Sequence, residues 1–118
     1  MTFSANIFRN ATDTAEYEAG QSIFVEGAEG TVAYAIIDGQ VDLIANGSLL
    51  ETLGPGDIFG EMAIIEKPRS ATAKARKRCR LAPIDTPGFE RLVQQDPGFA
   101  TQVLCSMAER LRRMNERL

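Results

Sequence analysis

Short apolar segments separated by glycine-containing turns fill the first two thirds of the chain and constrain its fold more than any other feature. Dipeptides such as Asp38-Gly39 and Asn46-Gly47 favour tight hairpin turns, because glycine and asparagine accept positive φ angles. Many short strands at close spacing are typical of a small antiparallel barrel or jelly roll. The predicted strands are Thr14–Glu18, Ser22–Val25, Val32–Asp38, Gln40–Asn46, Ser48–Leu53, Asp57–Phe59, Ala71–Arg76 and Arg80–Ile84.

Helical spacing replaces this pattern toward the C-terminus. Phe89, Leu92 and Val93 share one face of a helix, and Asp96-Pro97 starts another. The chain of 118 residues has the length of one domain, so residues 1–118 are predicted to form a single domain. We expect a mostly β fold, an antiparallel β-roll or jelly-roll barrel (double-stranded β-helix) with flanking and C-terminal helices. The predicted helices are Ala5–Asn10, as a short helix or turn, Pro87–Gln95, and a last helix from Asp96 to Leu118.

The sequence contains no histidine, which removes the commonest general base and a common metal ligand. A Ser-His-Asp triad, a Cys-His pair or a histidine-bound metal centre cannot be built from this chain. Cys79 and Cys105 show no metal-ligand spacing, and we interpret them as small core residues rather than as a disulfide. We therefore expect a protein that is not an enzyme and holds no metal or cofactor.

Charge is divided unevenly along the chain. Residues 1–66 carry a formal net charge of −10 and residues 67–118 one of +7, giving −3 in total. One folded domain can interleave such halves, and the total is too acidic for a free-standing DNA-binding protein. The basic run from Lys74 to Arg80 has no interleaved aromatic residues and no recognition helix after it, so we interpret it as a solvated strand face and turn.

The apolar segments are also informative about location. Even a long one such as Val32–Ile37 is far too short to span a bilayer. The first ten residues lack the basic start and the long apolar stretch of a secretory signal. We expect a cytoplasmic protein without membrane attachment.

Residues 59–73, FGEMAIIEKPRSATA, have the composition of an anion-binding segment. Gly60 allows close approach of the backbone, and the free N–H groups at the start of a short helix predicted over Glu61–Ile65 favour a phosphate. The planar guanidinium of Arg69 can contact two phosphate oxygens at once. The hydroxyl of Ser70 and the N–H groups of Ser70 and Ala71 can complete the shell around the anion.

Glu61 needs a separate explanation, because a carboxylate repels a phosphate. It can accept a hydrogen bond from a sugar hydroxyl, and a phosphate and a sugar hydroxyl in one compact pocket describe a nucleotide. An alternative is that Glu61 and Arg69 form a structural ion pair in an empty pocket.

This segment resembles the phosphate-binding cassette of the cyclic nucleotide-binding domain family. That family includes bacterial catabolite-activator regulators, protein kinase A and G regulatory regions, and cyclic-nucleotide-gated channels. The likeness covers most of the chain, from Gly20-Gln21-Ser22-Ile23-Phe24 through Gly54-Pro55-Gly56-Asp57 to the final helix. It implies a cyclic nucleotide sensor whose last helix closes over the base. The sensor is expected to be either a stand-alone binding protein or a piece of a longer protein.

Carried over residue by residue, the resemblance implies a ligand-binding role for seven residues. Arg69 would pair with the cyclic phosphate and Glu61 with the ribose 2′-hydroxyl, and the others would surround phosphate and sugar. The seven residues are Gly60, Glu61, Met62, Ala63, Arg69, Ser70 and Ala71. Because the family uses threonine more than serine after the arginine for guanine, cAMP is preferred over cGMP.

One departure from the family pattern keeps an alternative open. Glu61 and Arg69 are eight positions apart, one fewer than is usual in the family. The alternative is therefore a ligand-free interaction or dimerisation module that keeps the fold and has a degenerate nucleotide pocket.

The last helix carries the second open question. Leu104, Met107, Leu111, Met114 and Leu118 recur in steps of three and four, as in a heptad repeat. This stripe fits a homodimer seam as well as a surface packed on the barrel. In the sensor hypothesis, ligand binding repositions the helices from Pro87 onward, and an unknown protein partner or a second copy detects the change.

Overall fold

The computed structural model describes residues 13–61 and 68–116. In this part of the chain eight strands form two four-stranded antiparallel sheets, and two helices follow them. The elements are β1 (Ala15–Tyr17), β2 (Ser22–Phe24), β3 (Ala33–Asp38), β4 (Val41–Ala45), β5 (Ser48–Leu53), β6 (Ile58–Phe59), β7 (Thr72–Ala75), β8 (Cys79–Ile84), α1 (Thr86–Gln95) and α2 (Pro97–Glu116). The strand order is β1-β8-β3-β6 in the first sheet and β2-β7-β4-β5 in the second. The predicted mostly β fold with C-terminal helices is confirmed.

The two glycine dipeptides make different turns. Asn46 and Gly47 have φ angles of 52° and 75°, and they join β4 to β5 in the predicted hairpin. Asp38-Gly39 was expected to favour a hairpin as well, and that prediction is wrong. β3 pairs with β6 and β8, whereas β4 pairs with β5 and β7, so this turn carries the chain from one sheet to the other. Gly39 is required there, because a Cβ atom would lie 2.4 Å from the carbonyl oxygen of Arg78.

The core has two compartments that share β3. Side chains alternate between the faces of a strand, and both faces of β3 are covered. Ile36 faces the interior between the sheets, whereas Ala33, Ala35 and Ile37 pack with the helices. The interior cluster is Ile36, Val41, Leu43, Leu53, Phe59, Ala73, Ala75, Cys79 and Leu81. Cys79 is a buried core residue as predicted, Cys105 is only half-buried, and both are free thiols.

The helices pack on the outer face of the first sheet. Asp85 caps α1 by accepting a hydrogen bond from the Gly88 N–H at 2.8 Å. In α2, Phe99 and Val103 are buried against Ala33, Ala35 and Ala82 of the sheet, and Met107 packs partly against the same cluster.

The predicted leucine stripe is divided between positions that face the β-roll and positions that face away from it. Leu104 is 66% exposed and Leu111 60% exposed, so of the described stripe only Met107 contacts the core. The side chain of Met114 and the whole of Leu118 lie outside the described residues. Whether the stripe forms a dimer seam stays a prediction.

The basic run from Lys74 to Arg80 lies at the surface, as predicted, and the two charged halves of the chain are interleaved there. Arg76 pairs with Asp42 at 3.4 Å, Arg78 with Glu16 at 3.5 Å, and Arg80 with Asp38 at 4.0 Å. Exposed ion pairs contribute little to stability, typically about 0–1 kcal/mol each.

Two predicted helices, Ala5–Asn10 and most of Glu61–Ile65, fall outside the described residues. The same holds for the candidate site residues Met62 and Ala63. Among the helices that the structure describes, none has the length and apolar character needed to cross a membrane.

Candidate ligand-binding site

A cavity of about 340 Å³ lies between the β-roll and the C-terminal half of α2. Its volume is close to the lower end of the usual range for small-molecule sites, roughly 300–1,000 Å³. Five of the seven predicted site residues line it together, and the other lining residues come from the second sheet and from α2. The lining residues are Phe24, Leu43, Leu50, Gly60, Glu61, Arg69, Ser70, Ala71, Met107, Ala108, Arg110 and Leu111.

The backbone around Arg69 is fixed by the turn that follows β2, the strand that pairs with β7 in the second sheet. The Gly27 N–H donates to the Arg69 carbonyl at 2.8 Å, and the Arg69 N–H donates to the Ala28 carbonyl at 2.8 Å. An isolated bridge between Glu29 and Pro68 extends this contact. The sequence indicated only a glycine-rich turn at these positions, whereas the turn also holds the main chain of the key cation.

The Arg69 side chain points into the protein and is only 7% exposed. Its Nη1 donates to the Gly60 carbonyl at 3.2 Å and its Nη2 to the Val32 carbonyl at 2.9 Å. The guanidinium carbon lies 4.0 Å from the centroid of the Phe24 ring, in cation–π geometry. Gly30 leaves room for it, because a Cβ atom there would lie 2.4 Å from Nε and Nη2.

The electrostatic position of Arg69 is unusual for a buried cation. Within residues 13–61 and 68–116 it has no carboxylate partner, and its buried Nε has no hydrogen-bond acceptor. Burial lowers the pKa of the Arg69 guanidinium, because removal from water disfavours the charged form. Arginine still stays protonated at neutral pH, so an anion in the cavity would offset this desolvation.

Glu61 follows Gly60 directly after β6 and is 2% exposed. Gly60 has a φ angle of 78°, which glycine adopts without strain, and its carbonyl is the one that Arg69 contacts. The Oε1 atom of Glu61 accepts a hydrogen bond from Nη1 of Arg110. The predicted alternative, an ion pair between Glu61 and Arg69, is therefore wrong. The second oxygen, Oε2, is buried without a hydrogen-bond partner in the part of the chain that the structure describes.

Arg110 of α2 completes the site, although it was not among the site residues predicted from the sequence. Besides Glu61, it donates to Glu51 Oε2 at 3.1 Å, to the Ile58 carbonyl at 2.8 Å and to Ser106 Oγ at 3.1 Å. A signal was present in the sequence, because Arg110 lies seven positions after Val103 and so continues the buried face of α2.

The rest of the cavity wall is apolar. Leu43 and Leu50 contribute from the second sheet, and Met107 and Leu111 contribute from α2. The expected position of the last helix over the pocket is therefore confirmed, whereas contact with a base stays a prediction. A cation, a carboxylate and an apolar wall around one cavity suit an anionic ligand that also carries hydroxyl groups and an apolar ring.

The described residues thus form a β-roll with a cavity of small-molecule size between the roll and its last helix, as in small-molecule-binding β-roll domains. Residues 14–96 match the family model described as "Cyclic nucleotide-binding domain", and the chain belongs to this family.

Named relatives agree with this assignment. The chain is 41% identical over 86 residues to the cAMP-dependent protein kinase regulatory subunit of Schizosaccharomyces pombe. The matched region covers 71% of this chain and 21% of that protein. It is 31% identical over 109 residues to the CRP-like cAMP-activated global transcriptional regulator of Mycobacterium tuberculosis, covering 87% of this chain and 49% of that protein. The Thermus thermophilus catabolite activator protein superposes with a TM-score of 0.78 at 29% identity, over 95% of this chain and 55% of that one. The chain thus spans about a fifth to a half of the relatives it matches in sequence.

Proposed function

We propose that this domain is a sensor that binds a cyclic nucleotide, cAMP in preference to cGMP, and transmits its occupancy through α2. The observation that carries the proposal is a pair of buried, incompletely satisfied groups in one cavity. Arg69 lacks an anion and Glu61 has one oxygen without a donor, within the described residues. Buried polar groups are normally satisfied, so the pair favours a ligand with both a phosphate and a hydroxyl.

In the proposed complex Arg69 binds the cyclic phosphate and Glu61 accepts a hydrogen bond from the ribose 2′-hydroxyl. Gly60, Ser70 and Ala71 line the same cavity, and with Met62 and Ala63 they would surround phosphate and sugar. The base would lie between the apolar side chains of the second sheet and those of α2. The cAMP preference rests on Ser70 and on the two relatives, a cAMP-dependent protein kinase regulatory subunit and a cAMP-activated transcriptional regulator.

The short spacing between Glu61 and Arg69 does not separate them from the cavity. Both residues line it, and both are buried. The positions of Glu61 and Arg69, at the two ends of the shortened segment, therefore favour a functional pocket over a degenerate one.

The remaining parts of the proposal concern what the domain does with its ligand. We propose a cytoplasmic regulatory role for residues 1–118 as one domain, without catalysis and without DNA binding by this stretch. Either a protein partner or a second copy of the chain would read the position of α2. The exposed side chain of Leu104, which is absent from the cavity lining, supports a contact on this helix.

Calorimetric titration tests the proposal with two arginine variants. Wild-type protein should give saturable heat with cAMP and a weaker response with cGMP. Arg69→Ala should weaken cAMP binding about 10- to 100-fold, because a charge-assisted hydrogen bond contributes roughly 1.5–3 kcal/mol. Arg78→Ala is the matched control, since Arg78 is exposed at a surface turn. Folded wild-type protein that stays silent at millimolar cAMP and cGMP would contradict the proposal.

The second candidate function is a dimerisation module that binds no nucleotide. Leu104, which is 66% exposed on α2, favours it, because a second copy of the chain could cover this side chain. Analytical ultracentrifugation beside the titration separates the two: a dimer that gives no heat with either nucleotide would support the module.

A further inference from the structure

The second sheet has one face in the core and one face toward solvent. Side chains alternate between the two faces of a strand, and alternate residues of β4 and of β7 belong to the interior cluster. The positions between them therefore point away from the core. These outward positions are Asp42 and Ile44 in β4 and Thr72 and Lys74 in β7.

An apolar row crosses this outer face from edge to edge. Ile44 pairs with Thr72 of β7 on one side and with Leu49 of β5 on the other. Val25 directly follows β2, and the N–H of the next residue, Glu26, donates to Thr72 Oγ1 at 2.9 Å. Val25 is 54% exposed and Leu49 43% exposed. These two side chains lie at the ends of the row, and Ile44 and Thr72 complete it between them.

A polar row runs beside the apolar one, two residues further along the strands. Asp42 pairs with Lys74 of β7 and with Thr52 of β5, and Ser22 of β2 pairs with Lys74. Asp42 is held in place, because it accepts a hydrogen bond from Thr52 Oγ1 at 2.7 Å and lies 3.4 Å from Arg76. The face thus presents an anion and a cation side by side, next to an apolar row.

The two rows are complementary to a second copy of themselves. A twofold axis that runs parallel to the strands, between β4 and β7, places β7 of one copy over β4 of the other and β2 over β5. Lys74 of each copy then lies opposite Asp42 of the other. The apolar rows meet at the same time, with Val25 opposite Leu49. The strands of the two sheets stay aligned, as in the usual packing of sheets about 10 Å apart.

We propose that the outer face of the second sheet is a dimerisation surface, on which a second copy of this chain packs in this twofold arrangement. The apolar rows supply the buried area, and the two contacts between Lys74 and Asp42 fix the register. The face is small, with its outer strands only about 14 Å apart, whereas a standard interface buries about 800 Å² on each partner. The dimer is therefore weak.

This dimer is independent of the proposed nucleotide site. The cavity lies on the inner side of the sheet, where Leu43 and Leu50 line it, so a second copy on the outer face leaves it accessible. The exposed Leu104 of α2 also stays available for a different partner. Failure of cAMP to bind would overturn the proposed function and would leave this inference intact.

Sedimentation equilibrium of the full chain, combined with exchanged charges, tests the inference. We expect wild-type protein to dimerise with a dissociation constant of roughly 10–200 µM, as suits a small interface. Lys74→Glu and Asp42→Lys should each weaken self-association at least about tenfold, because each variant places two pairs of like charges in the interface. An equimolar mixture of the two variants should associate about as well as wild type, because opposite charges then face each other again.

The mixture separates this surface from any other route to a dimer. Wild-type protein that stays monomeric at about 500 µM would overturn the inference, as would a mixture that associates no better than the single variants. Leu104→Asp on α2 is the control and should associate like wild type. Loss of the dimer in this control, with an unchanged dimer in Lys74→Glu, would place the interface on α2 and overturn the inference.

A second variant keeps the test decisive if Asp42→Lys fails to fold. Val25→Asp changes an exposed side chain at the end of the apolar row, outside the core. It should weaken dimerisation at least about tenfold, because the new carboxylate would be buried opposite Leu49 of the second copy. Association of folded Val25→Asp protein with the wild-type dissociation constant would overturn the inference.

Discussion

The central residue of the site is a cation that no carboxylate within residues 13–61 and 68–116 neutralises. Arg69 is fixed by the carbonyls of Val32 and Gly60 and by the face of Phe24. These contacts order the side chain before a ligand arrives, so binding does not have to supply the cost of ordering it. They neutralise no charge, and an anion remains the partner that the guanidinium lacks in the described structure.

Gly30 has no side chain, and the Arg69 guanidinium occupies the space that a side chain would fill. In Gly30→Ala the new Cβ atom would lie 2.4 Å from Nε and Nη2, so the guanidinium has to move. We expect cAMP affinity to fall about tenfold, in line with loss of a well-aligned charge-assisted hydrogen bond. Gly54→Ala is the matched control, because a Cβ atom there meets nothing within 4 Å. Equal affinities of the two variants, measured by calorimetry, would show that Arg69 does not need this space.

At the scale of elements, local sequence patterns predicted most of the fold. All eight strands and both C-terminal helices lie within a few residues of their predicted bounds, because hydrophobic spacing, Pro97 and the Asn46-Gly47 turn act locally. The failures concern contacts between distant segments. The Asp38-Gly39 turn depends on which sheet receives β4, and Arg110 reaches partners 49 to 59 residues away. No local pattern encodes such distances.

The same distinction holds for the site. Glu61, Arg69 and Ser70 could be found from sequence because they lie in one segment whose chemistry is recognisable. Phe24 and Gly30 could not be assigned a role, since their contact with Arg69 arises only when the roll closes.

The turn before β6 holds a partly buried carboxyl group, that of Asp57, whose ionisation makes the stability of the protein depend on pH. The Asp57 carboxylate accepts a hydrogen bond from the Gly54 N–H at 2.9 Å. Burial is the main cause that raises the pKa of Asp57, and the nearby Glu51 charge adds to it. The folded protein therefore holds this proton more tightly than the unfolded chain, and the contribution to stability is lost as pH rises through the raised pKa.

Asp57→Asn should remove this pH-dependent loss while keeping an oxygen acceptor for Gly54. The free energy of unfolding of the variant minus that of wild type should be more positive at pH 7 than at pH 3.5, so the variant is relatively more stable at the higher pH. Urea denaturation at the two pH values measures the difference. Glu90→Gln on the exposed side of α1 is a control that should show no such trend, and the same pH dependence in Asp57→Asn and wild type would contradict the assignment.

At the scale of the whole molecule, β3 connects the roll to the helices. One face of this strand belongs to the interior cluster, and the other belongs to the cluster that holds α2. Any movement of α2 that follows ligand binding must therefore occur beyond the buried anchor of Phe99 and Val103 or must disrupt that anchor. The cavity lies beside the part of α2 beyond this anchor, which makes it the part that a ligand can influence directly.

Phe99 tests this division of the molecule. It is 1% exposed and touches Phe89 edge-on at 5.3 Å between ring centroids. Phe99→Ala should lower the free energy of unfolding by about 3–5 kcal/mol, as expected for deletion of a buried aromatic ring. Leu104→Ala on the exposed side of the same helix should change it by less than about 0.5 kcal/mol. Similar losses in the two variants would mean that α2 is not anchored as described.

The proposed binding mode is tested most directly by a crystal structure of the domain with cAMP. We expect the cyclic phosphate to lie within about 2.7–3.2 Å of the Arg69 guanidinium, and the ribose 2′-hydroxyl to lie at the same distance from Oε2 of Glu61. A nucleotide bound away from Arg69, or a phosphate exposed to solvent while Oε2 of Glu61 stays unpaired, would contradict it.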